Sequence, residues 1–246
     1  MIIIIIIVLA ILVVGVGGGI FLFKVVVPKF NDSTETVVDN GSKKKNKFTI
    51  VDPMNHKITI VDDDIYIKEV ELSYLYREAE SMRETASVIS DDEIEQLTVT
   101  DMQKYALTKA ASYFKSSQYS KKQLIEGLEY ESIPHDAAVF AAENCKADWK
   151  EQATITAKTI LAAGGYTEEE LEDSLRYYYF TDEEIEYALK NVNADYYEQA
   201  VYDACFYKYN SGLKYDKATA KERLESSGYS DKAVSFAIKT VYEKLK

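Results

Sequence analysis

The feature that most constrains this chain is a repeat. DMQKYA begins at Asp101, DWKEQA at Asp148 and DYYEQA at Asp195, so related six-residue motifs return every 47 residues. The register holds through the unit. Ala106, Ala153 and Ala200 fall in step, as do Tyr119 and Tyr166, Leu124 and Leu171, Leu128 and Leu175, and Tyr130 and Tyr177. Ile133 meets Phe180, Phe140 meets Tyr187, Ala141 meets Ala188 and Asn144 meets Asn191. The third copy is offset by 49 after Cys205, which implies a two-residue insertion between Tyr209 and Lys214. Tyr215, Leu224, Tyr229, Val234, Phe236, Ala237 and Val241 then take the matching places. A fixed period of this size means stacked supersecondary units, because one short unit cannot bury its own apolar face.

Each unit predicts three short helices. The first starts at Asp101, Asp148 or Asp195, since an aspartate carboxylate accepts free backbone N–H groups at a helix start and favours the positive end of the dipole. The second starts at SKKQ (Ser120), TEEE (Thr167) and Asp216; the third starts near Pro134, at TDEE (Thr181) and at Ser230. Ser120, Thr167 and Thr181 open capping boxes. Ile133, Phe180 and Tyr229 stand just before the third helix, where a hydrophobic staple sits. The repeated Ala, Leu and aromatic positions are therefore core, and Trp149 and Tyr196 are expected to pack on the preceding unit. Glu168, Glu169 and Glu170 read as the acidic first turn of a helix.

The start of the chain obeys different rules. Ile2 to Phe23 carries no charge over 22 residues, about 33 Å as a helix, enough for a hydrocarbon core of roughly 30 Å. The run is long for a cleaved signal and no basic stretch precedes it, so a retained transmembrane helix is expected. Gly15, Gly17, Gly18 and Gly19 offer a close helix contact, and with it a route to a homo-oligomer. Orientation stays open. Lys24 and Lys29, with Lys43, Lys44, Lys45 and Lys47 beyond, place the body in the cytoplasm by the positive-inside rule, and basic residues upstream of Met1 would reverse that.

The organisation expected is a transmembrane anchor over 1–27, a flexible stalk over 28–46, a small β-hairpin plus helix over 47–100, and three helical repeats over 101–147, 148–194 and 195–246. The fold class is mainly α. KFTIVD and KITIVDDDIYIKEV alternate apolar and polar residues around the turn PMNH, and helical spacing follows through Leu72, Leu75, Tyr76 and Ala79. Asp62, Asp63 and Asp64 lack the spacing and central glycine of a calcium loop and read as a solvated turn.

The repeats also resemble a known family. Tyr119-Ser120, Leu124, Leu128, Ile133, Ala141, Asn144, Asp148, Trp149 and Ala153 follow a pattern similar to that of the Ltp-type host cell-surface-exposed lipoproteins of Gram-positive bacteria and their phages. Tyr166-Thr167, Leu171, Leu175, Phe180, Ala188, Asn191, Asp195, Tyr196 and Ala200 repeat it, and the resemblance covers Asp101 to Lys246. It implies a membrane-tethered, outward-facing helical module; with the apolar segment from Ile2, a single-pass protein of the cell membrane is expected. It also implies superinfection exclusion, in which a resident phage's lipoprotein blocks DNA entry by a second phage. The partner implied is a phage protein of the injection machinery. The chain departs from the family in having a transmembrane-like segment with no lipid-accepting cysteine near it, and an added β-plus-helix segment.

Chemistry is sparse. His56 and His135 are the only histidines and fall in different segments, and no GxSxG, P-loop or HExxH motif occurs, so no catalytic, cofactor or metal site is expected. Cys145 and Cys205 form no framework; buried free thiols are the plainer reading and one disulfide the other. The net charge of −12 opposes nucleic-acid binding and suits a cationic protein partner. With 20 Tyr against one Trp, contact surfaces are expected to use tyrosine. Tyr177, Tyr178, Tyr179, Tyr207 and Tyr209 are the candidate protein-binding residues, with amphipathic core edge as their other reading. A structural envelope spacer is the alternative function.

Overall fold

The structure is a computed structural model that describes residues 46–51, 57–62, 69–71, 73–209 and 214–243. The expected anchor over Ile2 to Phe23, the stalk, the PMNH turn with His56, and Asp63 and Asp64 lie outside them. Among the described residues no helix is long and apolar enough to cross a membrane.

The fold is mainly helical. It opens with a three-stranded sheet in the order β2-β1-β3. The expected hairpin is β1 (Asn46–Val51) against β2 (Lys57–Asp62), antiparallel with Phe48 opposite Ile60. The sheet adds β3 (Glu69–Glu71), parallel to β1 and not distinguished in the sequence. Two helices follow, α1 (Ser73–Thr85) and α2 (Asp91–Gln96).

Among the described residues nine further helices come in three trios. The first is α3 (Asp101–Phe114), α4 (Lys121–Tyr130) and α5 (His135–Asn144). The second is α6 (Trp149–Ala162), α7 (Glu168–Tyr177) and α8 (Asp182–Asn191). The third is α9 (Tyr196–Tyr209), α10 (Lys217–Ser226) and α11 (Asp231–Ile238), closed by a π-helical turn at Lys239–Glu243. Helices of 8 to 14 residues are marginal alone. Packing sustains them. Within each trio the first helix lies against the third. Alanine supplies that contact: Ala106, Ala110, Ala138 and Ala141 are buried in the first trio, Ala153, Ala157 and Ala188 in the second, and Ala200, Ala204, Ala233 and Ala237 in the third. Leu124 and Leu128, Leu171 and Leu175, and Leu224 bring the second helix into the core.

The caps mostly sit where the sequence puts them. Ser120, Thr167 and Thr181 each close a reciprocal capping box. Asp148 Oδ1 accepts from the N–H groups of Lys150 and Glu151, and Asp195 Oδ1 from those of Tyr197 and Glu198. Asp101 departs from the pattern. Thr100 is the N-cap there, its hydroxyl accepting from Gln103 N while Gln103 Oε1 takes the N–H of Thr100. A reciprocal pair satisfies two free donors, so Asp101 moves into the first turn. Both cysteines are free and buried.

The far end of each third helix is satisfied from outside that helix, by a backbone N–H in the first trio and by a lysine in the other two. The carbonyls of Cys145, Val192 and Val241 occupy one repeat position. Cys145 O accepts from Ile89 N at 2.8 Å, Val192 O from Lys158 Nζ at 2.9 Å, and Val241 O from Lys208 Nζ at 2.6 Å. Terminal carbonyls have no partner within their own helix, so each needs an outside donor. Lys158 is 4% exposed and also pairs with Glu78 of α1 at 2.7 Å.

Lys158→Met keeps the buried stem and removes both bonds. It is expected to cost about 1–3 kcal/mol in urea unfolding, the price of a buried carbonyl left unpaired. Lys150→Met, which breaks the exposed pair with Glu183, is expected to cost less than about 1 kcal/mol.

Candidate functional site

The junction of second and third helix is the same device three times. In the first trio Ile133 N bonds to Leu128 O and Ser132 N to Glu129 O. In the second, Phe180 N bonds to Leu175 O and Tyr179 N to Arg176 O; in the third, Tyr229 N bonds to Leu224 O and Gly228 N to Glu225 O. This is the Schellman arrangement, which needs one residue in the left-handed region. Ser132 (φ 67°), Tyr179 (φ 62°) and Gly228 (φ 92°) are those residues. Glycine takes that conformation freely, whereas a bulky side chain there is an outlier.

The turn sends one aromatic or apolar side chain in and leaves others out. Ile133, Phe180 and Tyr229 are buried over the leucines. Tyr130 and Tyr177, which share a repeat position at the end of α4 and α7, are 72% and 58% exposed. Tyr179 is 46% exposed, and the Lys122 ammonium of α4 stands 3.8 Å from its ring centroid. That cation–π contact ties the second trio's turn to the first trio.

The five tyrosines singled out in the sequence therefore divide. Tyr177 and Tyr179 face solvent. Tyr178 is half-buried against the core and meets Tyr177 edge-on at 5.7 Å. Burial pushes its phenol above the ordinary range. Tyr207 is half-buried too, 5.5 Å from Tyr215, with its phenol pushed up to about 12, chiefly by burial. Tyr209 is the last residue of α9. Tyr130 joins the outward rings, as do Tyr76, Tyr105, Tyr187 and Tyr197. The signal for Tyr130 was its step of 47 from Tyr177.

Charge surrounds these rings. Arg176 bridges Glu172 at 2.7 Å and Asp182 at 2.5 Å beside Tyr177. Glu129, next to Tyr130, meets the exposed His135 at 2.5 Å. Among the described residues no group of three or more His, Cys, Asp or Glu is placed to hold a metal ion. The arrangement offers aromatic faces with hydroxyl tips over an acidic ground, which is the chemistry of protein contact.

A second cluster lies at the joint between second and third trios. Gly164 and Gly165 turn with φ of 83° and 77°. A Cβ on Gly165 would fall 2.2 Å from Asp203 Oδ1, and one on Gly164 2.6 Å from the Tyr202 ring. The Tyr229 hydroxyl donates to Asp203 Oδ2 at 3.0 Å. Asp203 as a residue keeps some exposure, but its carboxylate is enclosed. Burial, with a further push from Glu170, raises its pKa to about 7 against the pull of Tyr229. Glu198 is raised to about 7 by burial and Asp195. Gln199, buried beside them, donates to Leu161 O at 3.1 Å and accepts from Tyr166 N at 3.1 Å.

Fold and site together define a helical array with an outward tyrosine set. No family model matches the chain, and no curated protein does. Among solved structures it is similar to that of Ltp, a superinfection exclusion protein from the Streptococcus thermophilus temperate phage TP-J34, with 29% identity over 38% of this chain and 98% of that chain, at a TM-score of 0.37.

The raised carboxylates set a pH dependence. Unfolded, Asp203 ionises near its ordinary 3.8; folded, it holds its proton to about 7. The folded state thus binds more protons between those values, and stability falls as pH rises through that window. The melting temperature is expected to drop from pH 5 to pH 8, and Asp203→Asn is expected to flatten part of that slope while Glu198 maintains the rest. Thermal unfolding by circular dichroism at each pH checks this.

Proposed function

We propose that the chain is a membrane-tethered, surface-exposed interaction protein built from three copies of one helical repeat. Its role is superinfection exclusion, by binding a cationic protein of a phage's injection machinery. The observation that carries this reading is the pair Tyr130 and Tyr177, the two most exposed tyrosines among the described residues, which share one repeat position. Tyrosines held on the ends of fixed helices bind at low entropic cost, since the turn beneath them is already set. The net charge of −12 favours a cationic partner and speeds its approach. The resemblance of the repeats to phage-exclusion lipoproteins supplies the role. The apolar segment from Ile2 supplies the tether.

An envelope spacer is the second reading, favoured by the stacked geometry of repeat arrays, in which length is the working property. The two readings part on the tyrosines. In cells challenged with a sensitive phage, Tyr130→Ala/Tyr177→Ala is expected to restore plaque formation by at least about tenfold, as loss of an interface hot spot does. Melting of the purified variant should stay unchanged, because both rings are exposed. Full protection by the double variant, with sensitivity to loss of a whole repeat, would favour the spacer.

A further inference from the structure

The two joints of the array are not built alike. The second and third trios share one hydrophobic core, which runs from Ala153 to Val241. Gln199 bonds across their joint to the backbone of Leu161 and Tyr166. The first trio has a core of its own, from Ile89 to Cys145. Gln152 holds the repeat position of Gln199, is 1% exposed, and its Oε1 has no partner. Among the described residues two ring contacts cross the first joint: Phe114 with Trp149 at 6.0 Å, and Lys122 over Tyr179 at 3.8 Å. The crossing chain between α5 and α6 is Cys145 to Asp148, with Lys146 in the left-handed region.

A separate segment bridges this joint. Residues 73–97 carry α1 and α2, and the two helices seat in different bodies. α1 lies along α6: Leu75 and Ala79 are buried, Leu75 in the core shared by second and third trios, and Glu78 holds the buried Lys158. α2 belongs to the first trio. Ile89 and Ile94 lie in its core, Ile89 N closes on Cys145 O, and Glu93 pairs with Lys146 at 2.6 Å. Ser90 and Glu93 close a reciprocal capping box at the start of α2.

We infer that residues 73–97 are a strap that locks the first trio to the rest of the array, and that the first trio swings about Cys145–Asp148 when α1 leaves α6. Swinging changes the separation of Tyr130, on the moving body, from Tyr177, on the fixed one. The orphaned Gln152 marks the joint as one whose contact can be remade: the bonds Gln199 makes have counterparts at Phe114 O and Tyr119 N, one repeat upstream.

The test cuts the strap without touching either core. A protease recognition sequence is inserted after Ser87, which is exposed between α1 and α2. Spin labels are placed through Asp136→Cys and Asp173→Cys, both exposed, with the buried native thiols as the unlabelled control. Pulsed dipolar spectroscopy on the uncut chain is expected to give one narrow distance peak. Cutting is expected to abolish that peak in favour of a broad distribution, with the helical circular dichroism unchanged. Glu78→Lys, which faces Lys158 with a second ammonium, is expected to broaden the peak in the uncut chain. An unchanged peak after cutting overturns the inference, and so does loss of the circular dichroism signal, which would make strap and trios one core.

Discussion

Everything in this molecule depends on alanine at the crossing of first and third helix. Ala106 and Ala141, Ala153 and Ala188, and Ala200 and Ala237 have no exposed surface. Side chains of that size let two short helices approach, and interaxial distance follows the side chains at the contact. The close crossing leaves room for the leucines of the second helix beneath it. It also confines the core to narrow seams, one in the first trio and one shared by the second and third, so the outer faces are released from packing. An array of short helices thereby gains surface on which tyrosines and carboxylates can stand without cost to the interior.

The variation between trios then becomes informative. The same carbonyl at the end of the third helix is bonded by a backbone N–H in one trio and by lysines in the other two. The same left-handed position is Ser132, Tyr179 or Gly228. Gly228 is the residue that fits the backbone best, so the fold alone does not select Tyr179. Its ring reaches Lys122 of the neighbouring trio instead. Local strain of this kind persists where a contact outside the turn over-determines it.

Much of this was legible in the sequence, and for identifiable reasons. Ser120, Thr167 and Thr181 announce helix starts because the acceptor and the residue it reciprocates with are three positions apart in the chain. The buried Ala, Leu and staple positions follow from period alone. What stayed hidden depends on distant partners. Lys158 meets Glu78 across 80 residues, and Gln199 meets Leu161 O across 38. Neither buried polar group leaves a periodic trace. The repeat motif points to Asp101 as a cap because it carries an aspartate there, while the neighbouring Thr100 and Gln103 make the better local pair. The run Tyr177-Tyr178-Tyr179 could not be divided by pattern either. It spans the end of a helix, where the period of 3.6 gives way to turn geometry that sends the middle ring inward and the outer two into solvent.

The proposed function requires the tyrosine face to look out of the cell. Protease shaving of intact cells that express the chain with a C-terminal tag, beside a cytoplasmic control protein, tests this most directly. The outward-facing reading predicts that the tag is lost while the control is spared. A tag that survives on intact cells and is cut only after lysis would put the repeats inside and contradict it.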